Sequence, residues 1–209
     1  MSEQEKFIDA LKEEIGDEII SALVYGDGEC LVVTENLDFS ILKRISKITL
    51  KFNRDINFPL FLKRSGITNA CDVFPLEFIN MKVDYRVIYG EDILGGLTFK
   101  REDVARELEF ELRTKLITLR QGFLSANSDD AVRALIKRAV PTMRPVCAGL
   151  LFIKNQEIPG SKDEILDADY RVNTAVLKNI KTGTFENPGQ VIEQIMKMLE
   201  DLIGSVDVI

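Results

Sequence analysis

Hydrophobic and polar positions along this chain follow two periods, and the change from one to the other divides it. Phe7, Ala10, Leu11 and Ile15 recur at helical spacing behind Ser2 and stop at Gly16, which predicts an amphipathic helix over residues 3–15. Two β-rich apolar runs follow, Ile19–Tyr25 and Cys30–Thr34, separated by Gly26-Asp27-Gly28-Glu29, and they predict a hairpin with a tight turn. Phe39, Leu42, Ile45, Ile48 and Leu50 carry a second helical pattern to the neighbourhood of Phe52. Beyond it, Ile56–Leu62, Leu76–Ile79 and Tyr85–Tyr89 predict three more short strands, the first an edge or bulged strand because it contains Pro59.

From Lys100 the period is helical throughout. Val104, Leu108, Leu112, Leu116, Leu119 and Phe123 step by three and four through a charged segment and predict one long helix. Asp129 and Asp130 open another, with Val132, Leu135, Ile136, Ala139, Val140 and Met143 on its inner side and Pro141 and Pro145 expected to kink or split it. Ser161 after Pro159-Gly160, with Glu164 at capping-box spacing, predicts a third helix reaching the region of Ile180. After a loop over Lys181–Gly189, Val191, Ile192, Ile195, Met196, Leu199, Leu202 and Ile203 mark a last helix ending near Gly204. The expected fold class is α+β: an α/β head over residues 1–99, then an antiparallel bundle of four to five helices over residues 100–209.

Composition narrows the chemistry. Hydrophobic residues are 45% and charged ones 29% of the 209, enough to bury a core and unlike a disordered segment. The longest apolar stretches, such as Ile19–Tyr25 and Cys147–Ile153, fall short of the roughly 20 residues that cross a bilayer. Met1–Lys6 is polar and acidic, unlike a secretory signal, so a cytoplasmic protein without a membrane partner is expected. Cys30, Cys71 and Cys147 are too widely spaced for a zinc motif and odd in number, so they read as reduced core thiols. A net charge of −7 gives no general attraction to phosphate backbones, and nucleic acid is not an expected partner. The chain contains no histidine, which excludes Ser-His-Asp and Cys-His nucleophilic sites and every His-ligated metal.

The turn after the first predicted strand carries the candidate chemistry. Helix, strand ending in Val24-Tyr25-Gly26, acidic turn, strand Cys30-Leu31-Val32-Val33, helix and third strand together resemble the minimal nucleotidyltransferase head of the polymerase-β type. In that family a Gly-Ser ends the first strand, an Asp-x-Asp precedes the second, and a later strand adds a third carboxylate. The set is needed because two divalent metals must be held by oxygen ligands while they clamp a triphosphate. The resemblance implies Mg²⁺ as cofactor and a nucleotide as ligand, with Gly26, Asp27, Glu29 and Glu77 as the candidate site. Asp27 stands where the serine would be, the intervening loop is missing, and Asp27-Gly28-Glu29 matches only as Asp-x-Glu. The alternative for Gly26-Asp27-Gly28-Glu29 is an ordinary hairpin turn. Asp72-Val73-Phe74-Pro75-Leu76-Glu77-Phe78, Val87-Ile88-Tyr89-Gly90-Glu91-Asp92 and Leu119-Arg120-Gln121 further resemble a group of prokaryotic nucleotidyltransferase-like proteins with a helical tail. Within it, Tyr89-Gly90-Glu91-Asp92 reads first as a strand end and a turn opening the next helix.

The tail also resembles those of aminoglycoside nucleotidyltransferases and the helical modules of toxin–antitoxin pairs. The toxin-type modules cut RNA with an Arg and a later His, so that activity is not expected here. Arg101, Arg106, Arg113, Lys115 and Arg120 are interleaved with acids, as on a solvated helix face. Arg133, Lys137, Arg138 and Arg144 are less balanced and are the candidates for an anionic ligand. Three readings follow: a catalytically degenerate head acting as a nucleotide-binding or protein-interaction module, an active Mg²⁺-dependent transferase of nucleotidyl groups to a hydroxyl, and a protein that dimerises through its helices.

Overall fold

The computed structural model describes residues 2–168 and 185–206. It is an α+β structure, and its chain divides into two compact units: one runs to Val73 and resumes over Met81–Phe99, the other comprises Phe74–Asn80 and the chain from Lys100.

In the first unit, α1 (Glu3–Ile15) starts at Ser2, whose hydroxyl accepts the Glu5 amide while Glu5 accepts the Ser2 amide, a complete capping box. A mixed four-stranded sheet follows, made of β1 (Ile19–Tyr25), β2 (Glu29–Thr34), β3 (Leu60–Lys63) and β4 (Tyr85–Gly90) in the order β3-β2-β1-β4. β1 lies antiparallel to β2 and β4, whereas β2 and β3 are parallel. Parallel neighbours need a crossover, and α2 (Phe39–Phe52) supplies it, its first amides accepted by Asp38. Phe7, Leu11 and Ile15 of α1, Ala22 and Val32 of the sheet and Ile41 and Ile45 of α2 share one core. Leu23, Leu31 and Val33, which alternate with that face, are buried too, and this is why β1 and β2 read as continuous apolar runs.

Two expectations need correcting. The third strand begins at Leu60 rather than Ile56: Pro59, which has no amide to donate, precedes the ladder. The short α3 (Arg64–Ala70) follows it directly. Leu76–Ile79 is not a strand but part of α4 (Pro75–Val83). Pro75 occupies the first helical position, which needs no N–H, and the next amide, that of Leu76, donates to Glu107 Oε2 at 2.7 Å. The helix start is thus satisfied from 31 residues away, which a four-residue apolar window cannot reveal.

The second unit contains α5 (Arg101–Ser125), α6 (Asp129–Ala139), α7 (Met143–Asn155), α8 (Lys162–Asp167) and α9 (Pro188–Val206). Val104, Leu108, Leu112, Leu116 and Leu119 of α5 are buried, with α6, α7 and α9 packed against the helix, while Phe123 remains 43% exposed at the edge of that stripe. The split expected from the prolines falls at Pro141, in a single tight turn over Val140–Thr142, and Pro145 sits harmlessly in the first turn of α7. α9 starts earlier than expected, at Pro188, and runs past Gly204. Ser161 caps α8 as expected, and the continuation of that helix toward Ile180 lies outside the described residues. No helix among the described residues is long and apolar enough to cross a membrane.

Candidate functional site

The hairpin turn is built from Gly26, Asp27 and Gly28 between the paired Tyr25 and Glu29. Gly26 has φ +59° and Gly28 φ +98°, conformations that a side chain disfavours and a glycine adopts freely. Each of the three turn amides has an acceptor within the protein. The Gly26 N–H donates to Asp84 O at 3.0 Å and the Gly28 N–H to Tyr25 O at 3.1 Å. The Asp27 N–H donates to Glu29 Oε2 at 2.6 Å. From the other side the Gln4 side chain donates to Gly28 O at 3.4 Å. Asp27 is exposed and Glu29 half-buried, so the structure brings these two together at the surface with the Glu29 carboxylate bent back onto the turn.

Glu77, the third candidate carboxylate, belongs to the other unit. Its surroundings are Glu107, Glu111 and Lys115 of α5. Burial pushes its carboxyl above the ordinary range, the Glu111 charge adds to the rise and Lys115 opposes it. Glu107 is raised for the same leading reason, although the Leu76 amide pulls it down. Lys115 pairs with Glu111 at 2.7 Å. Asp27 and Glu29 thus belong to one unit and Glu77 to the other, and one Glu29 oxygen already accepts an amide. Among the described residues no group of three His, Cys, Asp or Glu side chains is arranged to hold a metal ion.

The anionic-ligand candidates separate. The Arg133 guanidinium of α6 donates to the carbonyls of Phe185 and Glu186, the latter at 3.1 Å, and stacks 5.3 Å from the Phe185 ring centre. It anchors the approach to α9. Lys137 and Arg138 are exposed in the last turn of α6, where their charge suits the helix C-terminus, and Arg144 is half-buried in the first turn of α7. The interleaved charges of α5 pair as their spacing predicts, Arg113 with Glu109 at 2.9 Å and Arg106 with Asp103 at 3.1 Å.

The segment after Gly90 is a turn, as expected, but the next helix begins only at Arg101. It contains a polar cluster that sequence reading missed. Tyr85 donates to both oxygens of Asp92 at 3.0 Å, and Asp92 also accepts the Gly95 amide at 2.8 Å. Lys82 donates to Gly95 O at 3.1 Å and Leu97 O at 2.9 Å. Burial lowers the Lys82 ammonium and raises the Tyr85 hydroxyl, whose bond to Asp92 adds to the rise. Glu91 forms a two-pronged pair with Arg64 at 2.9 and 3.0 Å. Tyr85, Asp92 and Lys82 bond to the loop and Glu91 to Arg64, and the sequence spacing of these five residues carries no motif.

The chain matches no protein-family model and no curated protein.

Proposed function

We propose that this chain is a nucleotidyltransferase-like protein with a degenerate catalytic turn, acting as a nucleotide-binding or protein-interaction module rather than as a transferase. The observation that carries the reading is the satisfaction of all three turn amides by protein acceptors, one of them the Glu29 carboxylate. A working turn of this kind must offer amides to phosphate and carboxylate oxygens to metal. Here all three amides are engaged within the protein, and one Glu29 oxygen is committed to the Asp27 amide. The order helix, strand, strand, helix, strand, with the crossover between parallel β2 and β3, supports the family likeness of the head.

Thermal-shift titrations with ATP, GTP, CTP and UTP, each with and without Mg²⁺, test it. A nucleotide at 100 times its Kd stabilises the folded chain by about 2.7 kcal/mol, readily seen as a rise in Tm. Any rise is expected to be independent of Mg²⁺ and unchanged in the Asp27→Ala, Glu29→Ala double variant. A Mg²⁺-dependent rise that disappears in that variant, or nucleotidyl transfer that does, overturns the reading.

A further inference from the structure

The crossover helix α2 is amphipathic twice over. Its inner side is spent, because Ile41, Ile45 and Ile48 are buried in the core shared with α1 and the sheet. Its outer side carries Phe39, Leu42 and Leu50, which are 71%, 41% and 68% exposed. At about 100° per residue, Phe39 and Leu50 lie within about 20° of each other and roughly 160° from the buried isoleucines, with Leu42 about 60° to one side. Lys43, Lys47 and Lys51 stand on the other side of the same face, roughly one turn apart and all exposed. An apolar ridge and a basic ridge thus run together along roughly 16 Å of helix.

The charge of this face is what identifies its occupant. The chain has 27 Lys and Arg against 34 Asp and Glu, yet α2 holds Lys43, Arg44, Lys47 and Lys51 with no acid, and Arg54 follows. Elsewhere cations are fastened to acids one turn away, Lys6 to Glu3 and Arg113 to Glu109. In α2 only Arg44 forms an ion pair among the described residues, with Glu14 of α1 at 3.1 Å. Asp38, at the helix start, accepts the Ser40 and Ile41 amides at 2.8 and 3.0 Å, and Lys43 lies over the Phe39 ring at 4.9 Å. The partner is therefore anionic, and the net charge of −7 does not cancel this, because charges more than about 8–10 Å from the contact are screened. It is also apolar: Leu42 and Leu50 gain nothing from a bare phosphate backbone. A groove that takes up an amphipathic helix needs its inner apolar side, which is already core here. An anionic bilayer meets both demands in one plane. Its boundary region takes apolar side chains about 5–10 Å deep, while lysines on flexible stems stay at the phosphates.

We infer that α2 is a docking surface for anionic lipid, with Phe39, Leu42 and Leu50 entering the boundary region and Lys43, Lys47 and Lys51 holding the headgroups. The contact lies in the plane of the surface and needs no spanning helix. It is independent of the nucleotide-binding half of the function proposed above.

Flotation of the full chain with phosphatidylcholine vesicles containing about one-third phosphatidylglycerol tests it, beside vesicles of phosphatidylcholine alone. The chain should float with the anionic vesicles and not with the neutral ones, and high salt should release it. Each lysine near such a surface contributes about fivefold, so the Lys47→Ala, Lys51→Ala double variant should bind roughly 25-fold more weakly. The Phe39→Ser, Leu50→Ser variant should lose roughly tenfold or more, because its apolar ridge no longer enters the boundary region. Phe110→Ser, at an exposed phenylalanine of α5, should bind as the wild type does. All these positions are exposed, and circular dichroism checks that each variant is folded. In a Cys71→Ser background, a polarity-sensitive dye on Ser46→Cys, which lies between Leu42 and Phe39 round the helix, should shift to the blue on binding. Failure to float with anionic vesicles, equal binding to neutral ones, or binding that survives loss of both lysines overturns the inference. Binding of a single-stranded oligonucleotide that depends on the lysines but not on Phe39 and Leu50, without flotation, overturns it in favour of nucleic acid.

Discussion

Gly90 closes β4 against the central strand, and replacing it by alanine should be among the most damaging small changes in the first unit. Its φ is +72°, which costs an alanine about 1–2 kcal/mol. A Cβ would overlap the carbonyl oxygen of Ile20 and stand 2.9 Å from its carbonyl carbon and 3.2 Å from Ser21 Cα. These are backbone atoms of β1, paired on both sides, and they cannot yield as a side-chain tip can. The strand end must lift instead. Lifting breaks the Glu91 N–H bond to Ile20 O, 3.1 Å, and the Ser21 hydroxyl bond to Glu91 O, 2.6 Å. Ser21 is fully buried, so its hydroxyl loses its acceptor without gaining water, at about 1–3 kcal/mol, and the lost amide bond adds about 1 kcal/mol. The total is about 3–6 kcal/mol, a large part of the stability of an ordinary domain. Urea unfolding followed by tyrosine fluorescence reads it well, because Tyr25, Tyr85 and Tyr89 belong to this unit and the chain has no tryptophan. Gly66→Ala is the control: no atom lies within 4 Å of its Cβ site in α3, so it should stabilise by about 0.5–1 kcal/mol. A Gly90→Ala variant within about 1 kcal/mol of the wild type would refute the argument.

Glu77→Gln should stabilise the protein at neutral pH. Glu77 is raised above its ordinary 4.5 in the folded chain, first by burial and then by Glu111, so between the two values the folded state holds more protons and stability falls as pH rises. The cost is fully present above the folded value, and there the glutamine variant should show the higher Tm; below the unfolded value the advantage should vanish. Tm measured from acid to neutral pH checks this, and an advantage that grows toward acid contradicts it. Thiol labelling should find one reactive cysteine in the native chain. Cys30 is buried and its thiol is pushed up to about 12, Cys147 is buried, and Cys71 is half-buried with its Sγ donating to Ile67 O at 3.3 Å. Slow labelling of Cys71, with the other two reacting only in denaturant, is expected; rapid reaction of two or three would show that the cores open far more often than their burial implies.

Much of the element order is legible in the chain because it depends on local pattern. Ser2 and Ser161 cap the helices predicted behind them, and the apolar periods of α1 and α5 bury Phe7, Leu11 and Ile15 and the run from Val104 to Leu119, whereas in α2 only Ile45 and Ile48 of the expected stripe are buried and Phe39, Leu42 and Leu50 are exposed. What was not legible is where polar groups find their partners. Glu107 caps α4, Glu29 holds a turn amide and Arg133 holds two carbonyls, and each partner is chosen by folding rather than by sequence distance. The same limit explains the candidate site. An acid in a turn reads equally as a metal ligand or as an acceptor for the turn's own amide, and the 2.6 Å bond from the Asp27 amide shows one Glu29 oxygen in the second role. α5 is the reverse case. Phe110, Ile117 and Leu124 are visible off its inner stripe at a strict seven-residue interval, yet the inner stripe alone accounts for a helix. The surplus becomes informative once the buried side is known, because an apolar period that the fold leaves outside must be covered by something else or remain a liability in water.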